Sequence, residues 1–171
     1  RGDRVHGSLL HDSEVFAEEM ERIFVRGWAF VGHESEIKNN GDWVKRQLGN
    51  ESVIMVRGDD GDIGVLSNRC AHRGTALCWE QRGNASFFQC TYHNWRFGLD
   101  GSLRAVPFPD GYSKPKETLG LDRAGQVASY RGFVFANLDG RGGSIDEHLG
   151  DAGYELIDRL CEMSPSGRVD L

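Results

Sequence analysis

Hydrophobic and polar positions along the chain change period near residue 41. Over residues 12–26 the apolar side chains Phe16, Met20, Ile23 and Phe24 recur at three- and four-residue intervals, which places them on one face of a helix. Asp12 or Ser13 can cap that helix, and acidic residues crowd its first turns, where they complement the helix dipole. Gly27 and Trp28 end the pattern, and the segment to Asn40 reads as irregular or briefly extended. Asn39-Asn40-Gly41 is a turn signal. Beyond it the pattern is that of short strands over 43–48, 51–57 and 63–68, separated by Gly49-Asn50 and by Gly58-Asp59-Asp60-Gly61. This predicts an antiparallel meander.

Further short strands are predicted over 87–89, 95–99 and 102–105, the last two flanking the hairpin signal Asp100-Gly101. Strands over 126–129 and 132–137 would close the sheet. Gly140-Arg141-Gly142-Gly143-Ser144 has the composition of a flexible linker. After it, residues 145–163 read as an amphipathic helix with Leu149, Leu156, Ile157 and Leu160 on its buried side. The fold class is therefore mainly β, a small antiparallel sandwich or barrel with flanking N-terminal and C-terminal helices. Its parts are a helical segment over 1–40, a β-domain over 41–139, and a linker and helix over 140–171.

Composition narrows the partners. A chain of 171 residues can bury one real core. Its net charge of −6, with no run of Lys or Arg, argues against a nucleic-acid partner that must neutralise phosphates. No apolar stretch approaches the roughly 20 residues of a membrane helix, and the N-terminus lacks the basic-then-apolar layout of a signal peptide. No membrane partner is expected, and the expected location is the cytoplasm. Four cysteines in such a chain do not read as a secreted disulfide framework. Cys78 and Cys161 read as small buried apolar side chains.

The other two cysteines carry chemistry. Cys70-Ala71-His72-Arg73-Gly74 and Cys90-Thr91-Tyr92-His93-Asn94-Trp95 each set a histidine shortly after a cysteine, with seventeen residues between His72 and Cys90. Each pair follows a predicted strand, as if at the tip of a loop on a rigid scaffold. Thiolate and imidazole together are ligands for zinc or for an iron-sulfur cluster. Zinc knuckles usually pair like with like, whereas each arm here mixes the two. A two-iron cluster with both cysteines on one iron and both histidines on the other accommodates mixed arms, and that is the ligation of a Rieske [2Fe-2S] centre.

The pattern C-x-H-R-G, spacer, C-x-Y-H-x-W resembles the Rieske domain of ring-hydroxylating oxygenase large (alpha) subunits. The similarity extends to Val5-His6-Gly7-Ser8-Leu9, Trp28, His33-Glu34-Ser35-Glu36, Tyr130-Arg131-Gly132 and Phe135-Ala136-Asn137-Leu138. Thr91 stands where the family usually has proline, and Asn94 where it usually has glycine. No additional cysteine accompanies either arm, which sets aside the disulfide-stapled respiratory branch.

The resemblance implies a Rieske β-sandwich over 41–139, with Cys70, His72, Cys90 and His93 as ligands of a [2Fe-2S] cluster and the loop at Pro107-Phe108-Pro109 covering it. It implies that 1–40 packs on a catalytic domain and that 140–171 begins one. A mononuclear non-heme Fe(II), held by two histidines and a carboxylate, would belong to that domain together with the aromatic substrate. This segment would contribute no catalytic residue, only an electron relay. Electrons would come from NAD(P)H through a flavin reductase, with or without a ferredoxin, and pass to the iron of a neighbouring alpha subunit in a trimer, with or without a beta subunit. Either His72 or His93 could be the exit.

Asp3-Arg4-Val5-His6 with His11 has the form D-x2-H-x4-H, which superficially matches the family's mononuclear iron motif. That motif lies downstream of the Rieske domain, so the match is set aside, and His33 and His148 have no partner at ligand spacing. Arg73 is either a surface cation or a neighbour of the cluster; Trp95 is either core or a shield that keeps water from the cluster. Two other classes remain, a stand-alone Rieske ferredoxin and a zinc-stabilised binding module. The amphipathic flanks exceed what a free carrier needs.

Overall fold

Glu51–Arg57 has Val53, Ile54, Met55 and Val56 in succession, and all four are buried. A strand buried on both faces belongs in the middle of a stack. The computed structural model, which describes residues 4–171, places it there. Strands β1 (Ala29–His33), β2 (Asp42–Leu48), β3 (Glu51–Arg57), β4 (Ile63–Ser67), β5 (Arg82–Asn84), β6 (Phe88–Gln89), β7 (Arg96–Phe97), β8 (Leu103–Ala105), β9 (Gln126–Tyr130) and β10 (Phe133–Asn137) form three antiparallel sheets. Their orders are β4-β3-β2-β5, β1-β10-β9 and β6-β7-β8.

The period of two decides the layering. Trp43, Ile54, Val56 and Leu66 leave one face of the four-stranded sheet and pack with Phe88, Phe97 and Leu103 of the small sheet. Val44, Val53, Met55 and Val65 leave the other face and pack with Val31, Val134 and Ala136 of the third sheet. The result is two sandwiches that share the four-stranded sheet. Outside the third sheet lies α3 (Ile145–Glu162), whose Ile157 and Cys161 pack with Trp28 and Phe135. Ser144 caps α3 by accepting from the Glu147 N–H, and the Glu147 carboxylate accepts from the Ser144 N–H in return.

Strands β2, β3, β4, β9 and β10 lie within a residue of their predicted positions. Two strands depart from the prediction. β1 lies upstream of Gly41, where the turn signal puts the start of the β-domain, and it pairs with β10. A bulge between Phe30 and Gly32 and burial of nearly every residue erase its alternation. β5 is the exposed edge segment Arg-Gly-Asn, with no apolar residue to announce it.

The N-terminal helix is split. Asp12 accepts hydrogen bonds from the Glu14 and Val15 N–H groups and caps α2 (Ser13–Glu19), after the short α1 (Ser8–His11), and Met20–Val25 continues as a π-helix. The wider turn changes which side chains share a face. Phe24 packs against the core, whereas Phe16 and Ile23, expected on the buried face, are half exposed. In α3, Leu156 and Leu160 are likewise exposed rather than buried, and Cys161 takes the inner position. The chain breaks helical geometry at Gly150 (φ 54°, ψ −179°), which rotates the rest of the helix relative to its first turn. No helix among the described residues is long and apolar enough to cross a membrane.

Two outcomes follow. Ile157→Ala should destabilise the chain by about 2–4 kcal/mol, because it leaves a cavity in a packed interior, whereas Leu156→Ala should change stability by less than about 0.5 kcal/mol; urea unfolding of both variants checks the reversal. The second concerns acid. The Ser129 hydroxyl, with Arg57, holds the Glu34 carboxyl below its ordinary value despite some burial. Burial opposes ionisation of Glu36, but the His33 N–H and the Arg46 guanidinium outweigh it and also lower its value. A lowered folded value means that both carboxylates add stability above about pH 4.3, the unfolded value, and lose it as pH falls through the folded one. Urea midpoints measured from pH 6 to pH 3 should fall, with a shallower fall in Glu36→Gln.

Candidate metal centre

The two Cys-His arms are loops of the same construction on different sheets. After β4, the Cys70 N–H donates to the Thr75 carbonyl at 2.9 Å and the Gly74 N–H donates to the Cys70 carbonyl at 2.8 Å. Between β6 and β7, the Cys90 N–H donates to the Trp95 carbonyl at 2.9 Å and the Asn94 N–H donates to the Cys90 carbonyl at 3.0 Å. Closing a loop this way needs a left-handed residue four places after the cysteine. Gly74 (φ 72°) and Asn94 (φ 57°) supply it. Asparagine is among the few L-residues that adopt this conformation readily, so Asn94 can stand where the resemblance expects glycine. Gln89 Nε2 donates to Asn94 Oδ1 at 3.1 Å and braces the substitute.

All four candidate ligands come together. Cys70 and Cys90 are 3% and 1% exposed, and their thiols lie within hydrogen-bonding reach of each other. Burial pushes the Cys70 thiol up, while the backbone N–H groups of His72 and Arg73 donate to its sulfur and oppose that shift. His72 Nδ1 and His93 Nδ1 are 3.1 Å apart, and both rings are half-buried. Burial, then the neighbouring His93 and Arg73, depress the His72 value and favour its neutral, ligating form. With metal–nitrogen bonds of about 2.0–2.1 Å, two nitrogens of one tetrahedral ion stand about 3.3–3.4 Å apart, so the imidazole pair at 3.1 Å is a few tenths of an ångström closer than one ion would hold it. The donors form a thiol pair and an imidazole pair; among the described residues, no three His, Cys, Asp or Glu side chains converge on a single ion.

The surroundings contain residues whose place the motif did not announce. Asn68, 2% exposed, accepts from the Leu77 and Cys78 N–H groups through Oδ1 and donates to the Cys78 carbonyl through Nδ2, bracing the base of the first arm. Its position immediately after a strand and before the arm was the available signal. Trp95 is core, and it also lies flat on His72. Arg73 is exposed. From the Pro107-Phe108-Pro109 loop, Phe108 is 87% exposed and points to solvent. His72 is contacted by Tyr112, half-buried in a stretch that reads as polar and exposed.

Neither remaining cysteine joins the site. Cys78 is buried, with its thiol pushed up to about 12 by burial, and Cys161 is buried under α3. His33 is held by Ser35 Oγ and the Arg131 carbonyl. His6 pairs with Ser8 Oγ, and Asp3 of the superficial iron motif lies outside the described residues.

The left-handed backbone at Asn94 generates an outcome. Asn94→Ala should cost about 1 kcal/mol or more through backbone strain, and Asn94→Gly should recover most of it; urea unfolding of both variants measures the difference.

The Rieske [2Fe-2S] domain family model matches residues 27–130. The chain is 42% identical over 162 residues to the N,N-dimethyl phenylurea N-demethylase subunit alpha of Sphingobium sp. (strain YBL2), covering 93% of this chain and 35% of that protein. It is 40% identical over 152 residues to the large oxygenase component of the naphthalene 1,2-dioxygenase system of Pseudomonas aeruginosa, covering 86% and 34%. Among solved structures, naphthalene 1,2-dioxygenase from Rhodococcus sp. bound to indole superposes with a TM-score of 0.82 at 37% identity, over 89% of this chain and 35% of that one. The quaternary ammonium Rieske monooxygenase CntA with gamma-butyrobetaine gives 0.83 at 32%, over 92% and 45%. The chain spans about a third of the length of the curated relatives it matches. With these likenesses covering nearly all of its length, the chain belongs to the Rieske [2Fe-2S] domain family, in the form carried by oxygenase large (alpha) subunits.

Proposed function

We propose that Cys70, His72, Cys90 and His93 hold a [2Fe-2S] cluster, cysteines on one iron and histidines on the other, and that this chain is the electron-relay part of an oxygenase alpha subunit. The observation that carries the reading is the 3.1 Å approach of the two Nδ1 atoms beside the buried thiol pair. A bound cluster would supply storage for a single electron. Two thiolates instead of four leave less negative charge at the centre, which raises its potential, and the His72 and Arg73 N–H groups aimed at the Cys70 sulfur act in the same direction. The half-buried imidazoles bring that charge to the surface, where an acceptor can approach.

In the whole protein this relay would link a flavin reductase drawing on NAD(P)H, with or without a ferredoxin, to a mononuclear non-heme Fe(II) in a catalytic domain. There O2 would be used on an aromatic substrate, as the names of the naphthalene and biphenyl dioxygenase relatives suggest. Neighbouring alpha subunits, arranged as a trimer with or without a beta subunit, are the proposed setting, in the cytoplasm. The helical parts of 1–40 and 140–171 would pack on the catalytic domain, and the exposed Leu9, Leu10, Leu156 and Met163 suit that role. Likeness to large subunits over most of the chain supports this reading over a stand-alone carrier. A second reading of the reaction, oxidative N-demethylation, is favoured by the 42% identity to the phenylurea N-demethylase subunit.

Purified protein should contain iron and acid-labile sulfide in equal amounts and show a midpoint potential within the range of about −150 to +300 mV of Rieske centres. Zinc without iron or sulfide would overturn the assignment. His72→Cys should keep part of the cluster with a potential displaced toward the roughly −400 mV of plant-type ferredoxins; an unchanged potential would contradict the ligation.

A further inference from the structure

The two histidines are held unequally by aromatic neighbours. Trp95, 1% exposed, lies flat on His72, with ring centroids 4.8 Å apart and planes within 3°. Tyr112 stands perpendicular to both rings, 5.1 Å from the Trp95 centroid and 6.0 Å from that of His72. Its hydroxyl accepts a hydrogen bond from the indole Nε1–H at 3.2 Å. Indole has a single polar group and must find it a partner when buried, so this bond sets the rotation of the ring in its plane. The aromatic neighbour of His93, Tyr92, is nearer, 3.9 Å between centroids, but its plane is tilted by 33° and it is itself 58% exposed, so no core holds it in place.

We propose that Trp95 and Tyr112 are positioning residues for His72, an aromatic clamp that holds one ligand imidazole in a set plane while the other stays adjustable. The proposal rests on the cluster assignment above and deepens it. An imidazole stacked this way cannot tilt about its Cβ–Cγ bond without losing the indole face, so the plane in which Nδ1 lies is set by the protein. The same indole shuts water from one side of the ring. Ala71, His72, Trp95, Gly111, Tyr112 and Leu119 line a cavity beside the clamp. A loosened Tyr112 would therefore admit more water to His72. Solvent access around a metal centre governs its potential, so the clamp would tune the relay as well as orient it.

The test uses the cluster-loaded protein. Tyr112→Phe keeps every ring and removes only the hydroxyl. Its iron and sulfide content should match the wild type, while the electron paramagnetic resonance lines of the reduced centre broaden as the His72 plane spreads. Its midpoint potential should rise as water stabilises the more negative reduced state. Trp95→Phe should show both changes more strongly, and Tyr92→Phe neither. Wild-type line shape and potential in Tyr112→Phe at full iron content would overturn the clamp, as would equal changes in Tyr92→Phe. Should Trp95→Phe fail to hold iron, Tyr112→Phe decides alone. A wild-type protein without iron and sulfide would instead overturn the cluster assignment and the clamp with it, whereas a wild-type cluster with unmoved variants overturns the clamp alone.

Discussion

Two loops from different sheets must bring their tips within hydrogen-bonding reach of each other, and most of the structure serves that requirement. One loop leaves β4 of the four-stranded sheet and the other joins β6 to β7 of the small sheet. No disulfide joins them. Their relative position is set by Trp43, Ile54, Leu66, Phe88, Phe97 and Leu103, packed between the two sheets. An interior packed at crystal-like density does not let its layers slide. Cys70, Cys90 and Trp95 belong to the same buried cluster, so the core that aligns the sheets also encloses the sulfur end of the site. The imidazole end is the half-buried one. This polarity needs no device of its own; it follows from where the core stops.

Much of this arrangement was legible in the sequence because it rests on local rules. The runs that became β2, β3 and β4 are bounded by turns that glycine makes cheap, and left-handed glycines at Gly49 and Gly61 are part of those turns. That the two Cys-His arms are loops of one kind could be read from spacing, because loop closure after each cysteine is a local matter of five residues. What could not be read depends on distant partners. β1 has no alternation because it is covered on nearly every side and bulged. β5 is a strand only because β2 offers it an edge. The buried side of α3 moved from Leu156 and Leu160 toward Cys161 because Gly150 breaks the helix, and a periodicity count assumes one unbroken axis.

The same division runs through the site. Spacing names the candidate donors, since only certain side chains can bind a metal and only short loops can present them in pairs. It does not reveal the environment. Tyr112 sits in a polar stretch, yet it contacts both Trp95 and His72, because β8 returns antiparallel to β7 and brings Ala105 beside Arg96, with a turn at Pro109–Gly111 leading to Tyr112. Asn68 reads as the last residue of a predicted strand, but its amide satisfies two N–H groups and a carbonyl that would otherwise be buried without partners.

The departure at Asn94 shows how strongly geometry constrains such a site and where it relents. Gly74 and Asn94 occupy equivalent places in the two loops, and both have positive φ. The loop demands a backbone conformation rather than a particular residue, so a residue that bears the strain and gains a hydrogen bond from Gln89 can replace glycine. Thr91 is exposed and lies outside these contacts, so a change there leaves the donors where they are. A departure from a family pattern matters when it alters the conformation that presents a ligand. Asn94 preserves that conformation, which is why the two loops still close with the same pair of hydrogen bonds.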